Sequence, residues 1–234
     1  MSLIVRDSLK GLRLLFLIGF LGACGGKADL TIDVLFGDPT TPQPADPPYG
    51  GDVIFPSGLR MALVPDAALT ATYPDPGQNP FGGSRTSHYQ PVGAYLPLEI
   101  APISERVSEH FLLSEYVNPT FQRGGRRAFV DPEAVWHVQQ IRSGLGRALI
   151  LSSSYRSPEH NRDVGGASFS RHLYGDAVDI DVDQSSAEAN IRGQEIFNEA
   201  LDAGVDFVLP IEETSVNVDG ASRVSWVHLD DRGF

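Results

Sequence analysis

The stretch Ser-Arg-His-Leu-Tyr-Gly-Asp-Ala-Val-Asp-Ile-Asp, residues 170–181, decides the fold of this chain together with Trp-Val-His-Leu-Asp at residues 226–230. His172 and Asp179 lie seven residues apart in the first stretch, and His228 lies inside the second. Imidazole nitrogen and carboxylate oxygen are common zinc ligands, and a site with three protein ligands keeps a position open for water or substrate. The sequence therefore predicts a zinc site formed by His172, Asp179 and His228.

The residues around the first two ligands predict how the chain brings them together. Apolar and acidic residues alternate over 177–182, which predicts a strand with its aspartates on one face and Val178 and Ile180 on the other. Gly175 permits a tight reversal that returns Asp179 towards the first histidine. We therefore expect the aspartate to lie on a strand that leaves a tight turn.

The second stretch is also predicted to be a strand. Because side chains two residues apart share a face, Trp226 and Asp230 are expected beside His228. A carboxylate behind a ligating imidazole fixes the orientation of its ring, and Asp230 or Asp181 is placed to do this.

A calcium loop is the main alternative for the aspartates at 179, 181 and 183. Such a loop needs glycine at its sixth position and glutamate at its twelfth, where this chain has Gln184 and Asn190. Any one of the histidines alone would be read as structural, but three residues of the right types in strand and loop contexts favour zinc.

Composition limits the function classes. The chain has 234 residues, 41% of them apolar, which is enough for a packed core. A net charge of -12 argues against a nucleic-acid binder. Cys24 is the one cysteine, so neither an intrachain disulfide nor a thiolate zinc site can form.

The N-terminus predicts export. Residues 1–23 combine three basic side chains with an apolar run too short to span a bilayer, as in a secretory signal peptide. The ending Leu-Gly-Ala-Cys resembles the bacterial lipobox, which implies lipidation of Cys24; an ordinary signal peptide with a chance cysteine is the alternative. Gly25 after the cysteine resembles an outer-membrane address, so we expect a protein lipid-anchored in the cell envelope, on the periplasmic face of the outer membrane.

The rest of the chain divides by composition. Residues 24–50 are rich in proline and predict a tether, and residues 51–99 predict a small β-like or irregular region in which 69–73 is one candidate strand. From residue 100 onward the pattern is α+β. Asp131 and Pro132 open a helix, 148–154 is a strand candidate, and a helix over 186–203 ends at Gly204.

Four motifs in order resemble the zinc D-Ala-D-Ala carboxypeptidase and murein endopeptidase family, peptidases with the hedgehog/DD-peptidase fold. These are Ser-Ser-Ser-Tyr-Arg-Ser-Pro-Glu-His-Asn from 152, Val-Gly-Gly-Ala from 164, Ser-x-His-x-x-Gly-x-Ala-x-Asp from 170, and the run at 226–230. Phe-Leu-Leu-Ser-Glu-Tyr from 111 is similar to the start of that domain, so the resemblance covers about 110–234 within a zinc peptidase domain predicted over 100–234. It implies a small, mostly antiparallel sheet with helices packed on one side and zinc on the sheet.

The resemblance also implies roles for individual residues. His172, Asp179 and His228 would hold Zn2+, Arg156 would polarise the scissile carbonyl and stabilise the oxyanion, and Tyr155 and Ser170 would contact the substrate. A fixed guanidinium facing a developing negative charge lowers a reaction barrier. Without the motif, Arg156 would be read as half of a surface salt bridge.

The chain departs from the family at the general base. Many members carry Glu three residues, or His two residues, before the last histidine; here Ser225 and Trp226 occupy those positions. A branch of the family has His-x-Asp, which matches His228-x-Asp230 and makes Asp230 the candidate base or orienting carboxylate, with Asp181 and Glu213 as further candidates.

The function implied is hydrolysis of amide bonds in peptidoglycan stem peptides or cross-links. The alternative is a protein that keeps zinc and binds wall peptides or a partner without cleaving them. The sequence leaves open whether the bond is D,D or L,D, whether cleavage is exo or endo, and the oligomeric state.

Overall fold

The computed structural model describes residues 51–80 and 83–232. The predicted signal peptide, the lipidation site at Cys24 and the tether lie outside these residues. Within them, no helix is both long enough and apolar enough to cross a bilayer.

The described residues form eleven short strands. In chain order they are β1 (Asp52–Ile54), β2 (Arg60–Ala62), β3 (Val64–Pro65), β4 (Ala94–Pro97), β5 (Arg127–Ala128), β6 (Leu151–Ser153), β7 (Ala177–Asp181), β8 (Phe207–Val208), β9 (Ser215–Val218), β10 (Ala221–Val224) and β11 (Trp226–Asp230).

Five α-helices accompany the strands, together with four 3-10 helices. The α-helices are α1 (Ala67–Thr70), α2 (Leu113–Gln122), α3 (Pro132–Leu145), α4 (Pro158–Asp163) and α5 (Ala189–Ala203). The 3-10 helices are Pro76–Gln78, Gly83–Tyr89, Arg171–Leu173 and Ile211–Thr214. The predicted α+β class is confirmed.

One four-stranded antiparallel sheet positions the predicted site, in the order β6-β7-β11-β8. The register places His228 directly opposite Asp179, and Trp226 opposite Asp181. The buried apolar residues Val178 and Leu229 point to the other face, as alternation requires. The sheet therefore has an apolar face and a polar face that carries the predicted ligands.

Helices cover the apolar face of this sheet. Helix α5 contacts β11, β8 and α3. Helix α5 also approaches β10 closely at Gly193, where a Cβ would lie 2.6 Å from Cγ1 of Val224. On α3, His137 lies 2.8 Å from Asp231, which follows β11.

The caps of the two long helices follow the sequence. Asp131 accepts a hydrogen bond from the Glu133 N–H, Pro132 is the first residue of α3, and Gly146 ends that helix with φ of 62°. Gly204 ends α5 with φ of 86°, as predicted, although that helix begins at Ala189 rather than at residue 186.

The predicted strand over 69–73 is wrong. Residues Ala67–Thr70 form helix α1, because the Asp66 carboxylate caps it by accepting a hydrogen bond from the Leu69 N–H. Alanine at 67 and 68 favours the helix once that cap is made.

Residues 51–99 pack into the same hydrophobic core as the predicted peptidase domain. Val53, Tyr73 and Tyr95 belong to one buried cluster with Val178 and Leu229. Strand β4 pairs with β3 on one side and with β5 on the other, so one small sheet joins both regions. The region before residue 100 is thus part of the wall of this core.

Candidate metal centre

Three side chains from three elements meet on the polar face of the sheet. His172 comes from the 3-10 turn, Asp179 from β7 and His228 from β11, and one ligand atom of each lies within 4.8 Å of the others. Nε2 of His172 is 3.2 Å from one Asp179 oxygen, and Nδ1 of His228 is 2.8 Å from the other. Two nitrogens and a carboxylate at this spacing fit the donor set of a zinc site.

Hydrogen bonds behind the rings assign the nitrogen that faces the centre. Nδ1 of His172 lies 2.7 Å from the Ser154 carbonyl oxygen, which can only accept, so Nδ1 carries the proton and Nε2 presents its lone pair. Nε2 of His228 lies 3.1 Å from a carboxylate oxygen of Asp230 and donates to it. His172 would therefore ligate through Nε2 and His228 through Nδ1.

The pKa values of the three side chains reflect their burial and their contacts with one another. Burial lowers the pKa of His172. Burial would raise the pKa of Asp179, but the His172 and His228 imidazoles outweigh it and hold that pKa below its ordinary value. Burial also opposes charge on His228, yet hydrogen bonds to Asp179 and Asp230 raise its pKa to about 9. The protonated His228 ring thus donates one hydrogen bond to each carboxylate, from Nδ1 to Asp179 and from Nε2 to Asp230.

Asp230 stands behind His228 and is fully buried. Its carboxylate accepts hydrogen bonds from the Arg232 guanidinium and from Nε2 of His228, and no part of its side chain is exposed. Of the two roles that the sequence left open for Asp230, this geometry favours the orienting carboxylate over the general base.

Arg156 lies against the centre on the β6 side. Its Nη2 donates to Asp179 Oδ2 at 2.9 Å and its Nε donates to the Ser153 hydroxyl at 2.8 Å. Its backbone N–H donates to the His172 carbonyl oxygen at 2.9 Å, which ties the arginine turn to the ligand turn. Burial lowers the pKa of Arg156, and Asp179 opposes this shift. The predicted arginine is therefore fixed beside the ligands.

Tyr155 does not reach the substrate side. Its side chain is fully buried, and its hydroxyl lies 3.1 Å from the hydroxyl of Tyr73. The predicted substrate contact is wrong in this conformation, since the ring belongs to the core under Arg156. Ser170 is half-buried at the start of the 3-10 turn, and its contact with substrate stays a prediction.

Two supports of the site were missed by sequence reasoning. Tyr73 lies beneath the arginine turn, and Arg171 holds the ligand turn from the other side. The Arg171 guanidinium pairs with Asp176, donates to the His88 carbonyl, and lies 5.0 Å and 4.9 Å from the ring centroids of Tyr89 and Tyr174. The sequence did contain a signal for Arg171. It directly precedes the predicted ligand His172 and lies five residues before Asp176, an aspartate with which it could pair.

His137 lies off the apolar stripe of its helix, a pattern that favours a surface position or interhelix packing over a ligand role. It is buried, 2.8 Å from Asp231, and so belongs to the helix–sheet interface. Burial opposes its charge, but Asp231 raises its pKa above the ordinary value.

An α+β fold with a His-Asp-His centre on its sheet defines a candidate zinc site of the hedgehog/DD-peptidase type. Residues 110–200 match the family model described as Peptidase M15. The chain is also similar to the "Zinc D-Ala-D-Ala carboxypeptidase" of Streptomyces albus G, with 40% identity over 47 residues, which is 20% of this chain and 18% of that relative. No solved structure gave a significant match.

Proposed function

We propose that this protein is a zinc-dependent peptidase that hydrolyses amide bonds in peptidoglycan stem peptides or their cross-links. One observation carries the proposal: His172, Asp179 and His228 converge at one point. Beside them, the guanidinium of Arg156 donates a hydrogen bond to the Asp179 carboxylate. The chain spans about a fifth of the curated carboxypeptidase that it resembles, so activity and substrate rest on this site together with the family match.

Zinc, when bound, supplies a coordinated water of lowered pKa and polarises the substrate carbonyl. The residues of the chain prepare that chemistry. The Ser154 carbonyl and Asp230 fix the orientation of the two imidazole rings, so the rings need little reorientation for binding, although Nδ1 of His228 must first lose its proton.

Arg156 supplies positive charge where the carbonyl oxygen becomes negative. Its Nε is held by the Ser153 hydroxyl, so the planar guanidinium has a fixed direction. Loss of one such donor typically lowers kcat by about 10²–10³. We expect Arg156→Lys to lose kcat by a factor in this range. The lysine ammonium keeps the positive charge but lacks the planar, two-pronged geometry of the guanidinium.

Digestion of muropeptides tests the proposal. The zinc-loaded chain is incubated with stem peptides and cross-linked dimers, with and without a chelator, and His228→Ala provides a metal-site control. Chelator-sensitive products are expected, and their masses distinguish terminal trimming from opening of cross-links and D,D from L,D cleavage. Absence of product from every cross-link type would contradict a peptidase.

One observation favours a second candidate, a zinc protein that binds wall peptides without cleaving them. Ser225 and Trp226 replace the acidic or imidazole base of many relatives, and Asp230 is enclosed behind His228. Calorimetric binding of muropeptides that stay intact over the same incubation would support this candidate.

We also propose that the chain is lipid-anchored through Cys24 at the periplasmic face of the outer membrane. The lipobox-like ending and Gly25 support this address. Metabolic labelling with a fatty acid tests this proposal. The unmodified chain should carry the label and be found in the membrane fraction, whereas Cys24→Ala should carry no label and be absent from that fraction.

A further inference from the structure

On the polar face of the four-stranded sheet, the residues on one side of the metal centre are buried and those on the other side are accessible. The paired residues Asp179 and His228 form the middle row of this face. Ala177 and Asp230 form the row on one side, and both are fully buried.

The row on the other side is accessible. Asp181 pairs with Trp226, with Asp181 exposed and Trp226 half-buried. Residues two apart on a strand are about 7 Å apart, so this pair lies one step from the ligands on the same face. Along the strands, the open direction from the centre therefore leads over Asp181 and Trp226.

The chemistry of this pair favours a cation. Within the part of the chain that the structure describes, the Asp181 carboxylate makes no hydrogen bond or ion pair, and the charged group that acts on it is Asp183, of the same sign. Directly opposite, the indole of Trp226 offers an aromatic face, and side chains in directly paired strand positions contact each other. A carboxylate beside an indole is a common way to recognise an ammonium group.

We propose that Asp181 and Trp226 form a subsite for an aliphatic ammonium on the substrate residue next to the scissile amide. The distance of about 7 Å matches the reach of a long amine side chain such as that of lysine. In a stem peptide whose diamino acid is not cross-linked, the side-chain amine of that residue is such a group. The inference rests on the proposed function and names its substrate class.

Two muropeptides that differ only by an acetyl group on this side-chain amine test the subsite. For the zinc-loaded full chain, kcat/KM is expected to be about tenfold higher with the free amine. Asp181→Asn should abolish this preference, and Trp226→Leu should reduce it. Asp202→Asn removes the same charge from an exposed position on α5 and should leave the preference intact.

The outcomes separate the subsite from the proposed function. Equal kcat/KM for the free and acetylated amines, or a preference that survives in Asp181→Asn, overturns the subsite while the peptidase stands. If no peptide is cleaved, the peptidase fails, and the subsite is judged by calorimetric Kd values for the same pair. A tenfold tighter Kd for the free amine, lost in Asp181→Asn, upholds it, and equal Kd values overturn it.

Discussion

Replacement of Gly175 by alanine tests how the ligand turn is built. Gly175 has φ of 80°, and a Cβ at this position would lie 2.4 Å from the carbonyl oxygen of Phe129. A contact with a backbone atom cannot be relieved by a side-chain rotation. The turn itself must therefore move, and it lies between His172 and Asp179 in the chain.

Gly165 is a matched control. It has φ of 70°, and a Cβ there would meet no atom within 4 Å. The left-handed conformation costs an alanine about 1–2 kcal/mol at either position. Crowding in a packed interior typically adds about 1–3 kcal/mol. We therefore expect Gly165→Ala to lower the free energy of unfolding by about 1–2 kcal/mol, and Gly175→Ala by about 2–5 kcal/mol.

Urea unfolding of the metal-free variants measures the two free energies, and chelator competition measures zinc affinity. Gly175→Ala should also bind zinc at least about tenfold more weakly, since the ligand spacing changes, whereas Gly165→Ala should bind it normally. Equal destabilisation of the two variants with unchanged zinc affinity in both would refute the close approach of the turn to Phe129.

Three further outcomes are expected. Asp230→Asn should lower zinc affinity about tenfold in chelator competition, because the charge that orients His228 is lost; unchanged affinity would argue against an orienting role. Tyr73→Phe leaves the buried hydroxyl of Tyr155 without its partner and should cost about 1–3 kcal/mol in urea unfolding, with no loss if that contact is not formed. Burial raises the pKa of Asp131 to about 6, so the folded state holds a proton that the unfolded chain releases near pH ~4. The free energy of unfolding from this group therefore falls as pH rises from about 4 to about 6, and Asp131→Asn, which can still cap α3, should show a flatter profile over that range.

The ligand set could be predicted because its signals are local. His172, Gly175 and Asp179 lie within one turn and strand, and period-two alternation defines which face each side chain occupies. The N-terminus of α3 could be predicted for the same reason, since Asp131 and Pro132 act on the helix that they begin.

The supports of the site could not be predicted because their partners are distant in sequence. The hydroxyls of Tyr73 and Tyr155 are 82 residues apart in the chain, and no local pattern links them. Tyr155 is buried with that contact, so a residue next to Arg156 in the chain was misread as a substrate contact. The partner of His137 could not be predicted for the same reason, because Asp231 reaches it only across the helix–sheet interface.

Strand β11 follows β6, β7 and β8 in the chain, yet it lies between β7 and β8 in the sheet. The last ligand must therefore be inserted into the middle of the sheet, and the hydrogen-bonded pair Asp179 and His228 closes a separation of 49 residues. Contacts of such long range form late, after the entropy of closing the loop has been lost. Before β11 is inserted, the chain offers only two of the three predicted ligands, His172 and Asp179. A rise in zinc affinity during refolding would therefore report the insertion of β11 itself.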